Sequence, residues 1–377
     1  MLTIDSIRRF AVARNFPKPT SLKRALQRMG FVQADPIRAP ARAQDLILRQ
    51  RVKDYHAGDI ERLYTKLDIE EDFFINYGYV TTAVHRLMHP RSNSRLLVDD
   101  VWGALPVAQR RKAKLILDFV TERGTVHPRE VDDHFAHGKV TNYWGGSSNA
   151  TTHLLDAMHY HGLLRVARRD KGIRLYITSN HANGPSDPLE RRLRLEALAD
   201  VILGIYGPLT SSGLSFYLRR LRYAVPQWQK EVREVLERCK QRLRCEKVDK
   251  IDWYLPAGEK IGRDAVPDMV RLLAPFDPLV HDRARFELLW GWIYRFEAYT
   301  PAAKRKLGYY AMPLLWRDSI VGWANLAVKA GQLDANIGFV AAPVRERAFK
   351  LELDRELEGL SEFLRLKQYQ TNYGTIS

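Results

Sequence analysis

Apolar positions recur at helical spacing twice near the start of the chain, over Ile4–Asn15 and again where Leu22, Ala25, Leu26 and Met29 share one face. Pro17 and Pro19 separate the two stretches, Ser21 stands where an N-cap belongs, and Gly30 stands where a left-handed residue ends a helix. The period then changes. Phe31 to Ile37 reads as an extended run, because Pro36 biases Asp35 away from helical dihedrals. Side chains alternate in such a run, so Val32 and Ala34 are expected to face a core while Gln33 and Asp35 project together from the other face. A helix over about 42–52 follows. Three short helices with a strand between the second and third suit a winged-helix module.

The remaining pattern extends this picture. Residues 56–105 read as helical and connecting, with Glu70, Glu71 and Asp72 at a helix start and His89-Pro90-Arg91 as a break. Between Pro106 and Ser179 the elements of a second winged helix follow in order. Its helices carry Ile116, Leu117 and Val120, then Pro128 to Val131, then Asn149 to His161; a hairpin of 163–169 and 173–177 turns at Asp170-Lys171-Gly172. A polar linker, His181 to Pro188, precedes an interval to about Glu246 that is helical by its period. From about Val248 aromatic and β-branched residues dominate, and Tyr309–Trp316 with Ser319–Val328 reads as a hairpin of a small barrel. Leu353, Leu357, Leu360 and Leu364 form the core stripe of a final helix within 345–367.

With 377 residues and 45% hydrophobic content, the chain can build two to four domains. No run of about 18 apolar residues spans a membrane, and the N-terminus lacks an apolar signal region, so a cytoplasmic location is expected. Cys239 and Cys245 are the only cysteines. They support neither a disulfide framework nor a zinc cluster, and no metal or other cofactor is expected. Nucleotide-binding glycine loops and the His-Glu-x-x-His pattern are absent too. The net charge is +16, which makes a polyanion, nucleic acid first, the expected partner. Residues 1–55 hold 12 Lys/Arg against 4 Asp/Glu, half of that excess, and Arg38 and Arg42 lie just beyond Asp35. Arg168, Arg169, Lys171 and Arg174 cluster on the second hairpin, where they could hold phosphate or simply face solvent.

Gln33 and Asp35 supply candidate chemistry. A carboxylate near the sugar and an amide to orient water suffice to hydrolyse an N-glycosidic bond when the leaving base already carries positive charge. On these residues alone another reading stays open, a strand end at which Asp35 caps the turn at Pro36 and Gln33 is solvated.

Two distant stretches decide between them. Gly30-Phe-Val-Gln-Ala-Asp-Pro-Ile37 with the following Ala41–Leu48 helix, and Phe276-Asp-Pro-Leu-Val280 with Glu297 to Leu315, resemble the winged-helix crosslink-repair DNA glycosylases, the YcaQ/AlkZ-like family. The order and spacing agree over most of the chain. The resemblance implies a mostly α fold with β, tandem winged helices around a C-terminal β-barrel-like domain. It divides the chain into residues 1–105, 106–182, 189–247 (a third winged helix) and 248–377. It also implies a glycosylase acting on alkylated or crosslinked bases in double-stranded DNA, with Gln33 and Asp35 catalytic; no lysine stands out as a Schiff-base nucleophile, so a monofunctional, hydrolytic enzyme is expected. Lys304 and Arg305, inside the second block, join Arg38, Arg42 and the hairpin cations as expected DNA contacts. Several unlike modules in one chain suit a monomer. One departure stands out, since Asn76 to His85 replaces an aromatic-His-Ala segment of many members. A non-enzymatic winged-helix regulator, reading duplex sequence through a recognition helix, is the alternative.

Overall fold

Local capping starts the first two helices where the hydrophobic period puts them. Thr3 and Ser6 form a reciprocal capping box at the head of Ile4–Asn15, and the Ser21 hydroxyl accepts from the Arg24 N–H at the head of Leu22–Met29. Gly30, at φ 70°, ends the second helix by donating its N–H to Leu26. The structure is a computed structural model describing residues 2–88, 107–135, 139–141, 147–179, 187–262 and 265–373. It contains two compact units. The first gathers Met1–Asp59, Glu196–Arg219 and Val232–Ser377; the second consists of Ile60–Leu195 and Arg220–Glu231.

In the first unit, Ile7, Ala11 and Val12 of the opening helix share a core with Leu279, Val280, Phe286 and Leu315. A five-stranded sheet runs in the order Val270–Leu272, Met312–Trp316, Ser319–Lys329, Gln332–Phe339, Tyr369–Tyr373. The first four strands are antiparallel neighbours and the last is parallel to Gln332–Phe339. A parallel return needs a crossover, which the Arg347–Phe363 helix supplies while burying Leu353, Leu357 and Leu360. The barrel expected from the sequence is therefore corrected to an open sheet. Its returning strand joins one edge while Val270–Leu272 occupies the other, so among the described residues nothing closes the ring. A smaller sheet places Ile251–Tyr254 between Leu209–Thr210 and Cys245–Val248. Those strands alternate along the chain with helices Pro188–Tyr206, Ser211–Arg220 and Gln229–Arg242.

Two buried carboxylates fix the end of helix Ala43–Arg49 within this unit. Glu356 accepts from Arg49 at 2.9 and 2.8 Å, from Gln50 at 3.0 Å and from the Leu272 N–H at 2.8 Å. Asp277, fully buried, receives both arms of Arg51 at 2.7 and 3.1 Å and caps Pro278–His281 through the Leu279 N–H. The Phe276-Asp-Pro-Leu-Val280 motif is thus a structural lock.

In the second unit, helices Val107–Arg123, Pro128–Phe135 and Ala150–Tyr160 precede the hairpin of Leu164–Asp170 and Ile173–Thr178. Ile116, Val120, Val131, Leu155, Met158 and Val166 form their common core. Glu70–Asp72, expected to open a helix, instead lie in Ile69–Phe73, a strand antiparallel to Tyr77–Thr81. The cause is tertiary: Glu71 is buried and paired to Arg169 of the later hairpin, a partner invisible to local propensity. The His89-Pro90-Arg91 break and most of the 181–188 linker lie outside the described residues.

Asp277→Ala strands the Arg51 guanidinium, whose side chain is 6% exposed. We expect a stability loss of about 3–5 kcal/mol in urea unfolding of the full chain, and a loss below about 1 kcal/mol would show that the lock is dispensable.

Candidate functional site

The site begins where the second helix ends. After Gly30 the chain forms only a three-residue strand, Phe31–Gln33, with all three side chains buried. Gln33, expected to project from the strand beside Asp35, is buried at 7% exposure, and Asp35 lies half-buried in the loop beyond the strand. That loop is pinned on both sides of the carboxyl. Asp35 Oδ1 accepts from the Ile37 N–H at 2.9 Å, the turn that Pro36 prepares, while the Asp35 N–H donates to buried Gln44 Oε1 at 3.3 Å. Oδ2 makes no hydrogen bond among the described residues. Burial pushes the Asp35 carboxyl above the ordinary aspartate range, and the Ile37 amide offsets only part of that.

A second wall comes from 296–310. Glu297, buried, accepts at one oxygen from the N–H groups of Lys306, Leu307 and Gly308 at 2.9, 2.7 and 3.2 Å. Burial alone would raise this carboxyl, but the amides overturn it and hold it below the usual range. Gly308 has φ 118°, and a Cβ there would strike the Asn325 side chain, whose Nδ2 donates to Leu307 O at 2.7 Å. Only glycine fits. The path then delivers two tyrosines of opposite exposure: Tyr309 is 43% exposed beneath the Arg305 guanidinium, whereas Tyr310 is 2% exposed and meets Phe296 edge-on at 5.4 Å. Burial, then the Asp35 charge, raises the phenols of Tyr310 and of exposed Tyr299, so both lie within the field of that carboxylate. A cavity of about 720 Å³ has Arg38, Ala39 and Pro40 on one side and Gly308, Tyr309 and Tyr310 on another.

The expected DNA contacts divide by availability. Arg38, Lys304, Arg168 and Lys171 are exposed, and none makes an ion pair among the described residues. Arg305 is half-buried, donating to Thr300 O at 2.7 Å, and Arg42 is half-buried at the head of Ala43–Arg49. Arg169 and Arg174 instead have partners within the protein. Arg169 holds Glu71 with two bonds of 2.8 and 2.6 Å, and Arg174 lies 3.1 Å from Asp156 and over the Tyr77 ring at 5.2 Å. Both guanidiniums are spent inside their own unit. Among the described residues no group of His, Cys, Asp or Glu is arranged to hold a metal ion.

Sequence reasoning singled out neither Gln44 nor Tyr299, though both lie in the two matched stretches. A comparison with family models matches residues 26–363 to the family described as DNA glycosylase AlkZ-like. The chain belongs to the AlkZ-like DNA glycosylase family. Its fold is similar to that of Streptomyces sahachiroi DNA glycosylase AlkZ, with TM-score 0.63 and 14% identity over 99% of this chain and 100% of that one. Membership makes this chain a DNA glycosylase, an enzyme of DNA repair, and sets aside the non-enzymatic regulator. No helix among the described residues is long and apolar enough to cross a membrane.

A carboxyl raised on folding binds more protons folded than unfolded, so stability falls as pH rises from about 3.9 toward the folded value, and that cost persists at neutral pH. Asp35→Asn should therefore unfold at higher denaturant than wild type at pH 7, with the gain fading below about pH 4. A less stable variant at pH 7 would mark Asp35 as a structural cap.

Proposed function

We propose that Asp35 and Gln33 are the catalytic pair of a monofunctional glycosylase that hydrolyses the N-glycosidic bond of N7-alkylguanine-type bases in duplex DNA, interstrand crosslinks through such bases included. The observation that carries this reading is the Asp35 carboxylate itself: pinned by its own loop, half-exposed, one oxygen uncommitted, in the segment that goes on to wall a 720 Å³ cavity. Alkylation at N7 gives the base a positive charge, so it departs without an acid, and what remains for the protein is to steady the sugar cation and deprotonate water. Asp35 supplies the negative charge and accepts the proton; the Gln33 amide orients the water. Exposed Tyr299 and Tyr309 offer faces on which bases stack. A cavity of this size, walled by the 38–40 and 308–310 loops and by strands Ser319–Lys329 and Gln332–Phe339, suits bulky adducts that a tight flipping pocket would reject.

The exposed cations Arg38, Lys304, Arg168 and Lys171, on a chain of net charge +16, support binding along the phosphates without reading sequence. We read 106–182, whose described part holds three helices and a hairpin, as a winged helix, and the 189–247 interval as another, the whole acting as a monomer. The N-terminal module contributes the catalytic segment.

On duplexes carrying one N7-methylguanine, Asp35→Asn should slow single-turnover excision by at least about 100-fold while Kd changes less than about threefold. Excision at the wild-type rate would sink the assignment. The same comparison on a crosslinked duplex tests unhooking. Arg38→Ala and Lys304→Ala should each lower the slope of log affinity against log salt by about one. Arg169→Ala should instead lower stability and leave that slope unchanged, because its partner is Glu71.

A further inference from the structure

Three arginines, Arg14, Arg28 and Arg51, line one cavity of about 240 Å³ within the first unit, and they are not equally satisfied. Arg51 is committed to Asp277, at 2.7 and 3.1 Å, and to Ile47 O. Arg14, in the last turn of Ile4–Asn15, is held by Glu259 through Nε at 2.7 Å and by Gly204 O through Nη2, while its Nη1 makes no hydrogen bond among the described residues. Arg28, in the last turn of Leu22–Met29, is exposed and has neither an ion pair nor a side-chain hydrogen bond among them. Glu259 and Asp277 therefore balance two of the three charges, and one stays unbalanced. Burial and the Arg14 charge lower the Arg28 guanidinium from its ordinary value, and Glu259 offsets only part of that. The cavity wall also includes a glycine with no packing reason to be one. Gly204 lies in the last turn of Pro188–Tyr206, and a Cβ built on it would meet nothing within 4 Å. Glycine weakens a helix relative to alanine. Here the missing side chain leaves room at the cavity.

We propose that this cavity is a phosphate site, in which the Arg28 guanidinium and Arg14 Nη1 donate to the oxygens of one phosphate group and Gly204 leaves the space it occupies. A guanidinium presents its N–H groups as a planar fork that matches phosphate oxygens, and Arg14 is preorganised because Glu259 and Gly204 O already fix its side chain. The anion balances the charge that the fold leaves over. Such a group reaches the site from one of two sources, a backbone phosphodiester of bound DNA or a free phosphate ion. Neither Gln33 nor Asp35 lines the cavity, so the phosphate site stands or falls apart from their catalytic assignment.

Four full-length proteins, wild type, Arg28→Ala, Gly204→Leu and Lys350→Ala, are melted in chloride and in about 20 mM inorganic phosphate at equal ionic strength. Arg28→Ala removes the free guanidinium, Gly204→Leu fills the cavity without changing charge, and Lys350→Ala deletes an exposed cation of the Arg347–Phe363 helix as control. Phosphate excluded from protein surfaces stabilises all four alike, whereas a bound ion stabilises only proteins that keep the site. Wild type and Lys350→Ala should therefore gain about 2 °C or more beyond the gain of Arg28→Ala and Gly204→Leu. Kd for an undamaged duplex across chloride concentrations then separates the sources. If the DNA backbone fills the site, Arg28→Ala lowers the slope of log affinity against log salt by about one; an unchanged slope assigns the site to free phosphate. Equal phosphate shifts in all four proteins overturn the proposal, whatever the duplex shows. A shift that Lys350→Ala also loses marks a response to total charge and overturns it. A shift that Arg28→Ala loses but Gly204→Leu keeps places the ion outside the cavity and overturns it too.

Discussion

A buried ion pair between Arg51 and Asp277, 226 positions apart in sequence, is the constraint on which the first unit depends. It joins the end of the segment that carries Gln33, Asp35 and Gln44 to the start of the segment that carries the tyrosines. From Asp277 the path continues through packed rings, Phe276 on Phe296 at 5.1 Å and Phe296 on Tyr310 at 5.4 Å. Desolvating two charges is expensive, and the bidentate geometry with the added Leu279 amide is what offsets it. Glu356 repeats the device on the residues just before Arg51, gathering Arg49, Gln50 and the Leu272 amide. Charge here enforces which distant segments meet.

Two further carboxylates show how environment separates roles. Glu297 meets three amide N–H groups and is held ionised, so it behaves as a structural anion that shapes the loop before Gly308. Asp35 meets one amide, keeps an oxygen free and is raised by burial. The first commits its charge to the fold; the second keeps one oxygen uncommitted among the described residues. Pairs of acids pushed in opposite directions by their surroundings are a common mark of divided labour in enzyme sites.

The same division governs the basic residues. A net charge of +16 is a property of composition, yet many of the arginines behind it serve the interior. Arg285, fully buried, donates to the carbonyls of Pro278 and Leu279, and Arg169 and Arg174 bind Glu71 and Asp156. What is left exposed is a smaller set of cations, distinguished from the others by position and not by residue type.

Sequence by itself determined whatever depends on neighbours along the chain. Helices Ile4–Asn15 and Leu22–Met29 fall where apolar period, Ser21 and Gly30 put them, the 164–178 hairpin turns at Lys171-Gly172, and the Asp35 turn follows from Pro36. The two matched stretches also carried the family. Tertiary structure alone decided the rest, because those outcomes depend on partners far away in the chain: Glu71 in a strand through Arg169, Gln33 buried in place of projecting, the C-terminal sheet open because a helix returns its last strand in parallel. Tyr310 is the clearest case. Its identity was plain in the sequence, but a hydroxyl becomes conspicuous only when burial takes away its water and no described residue supplies a partner in exchange.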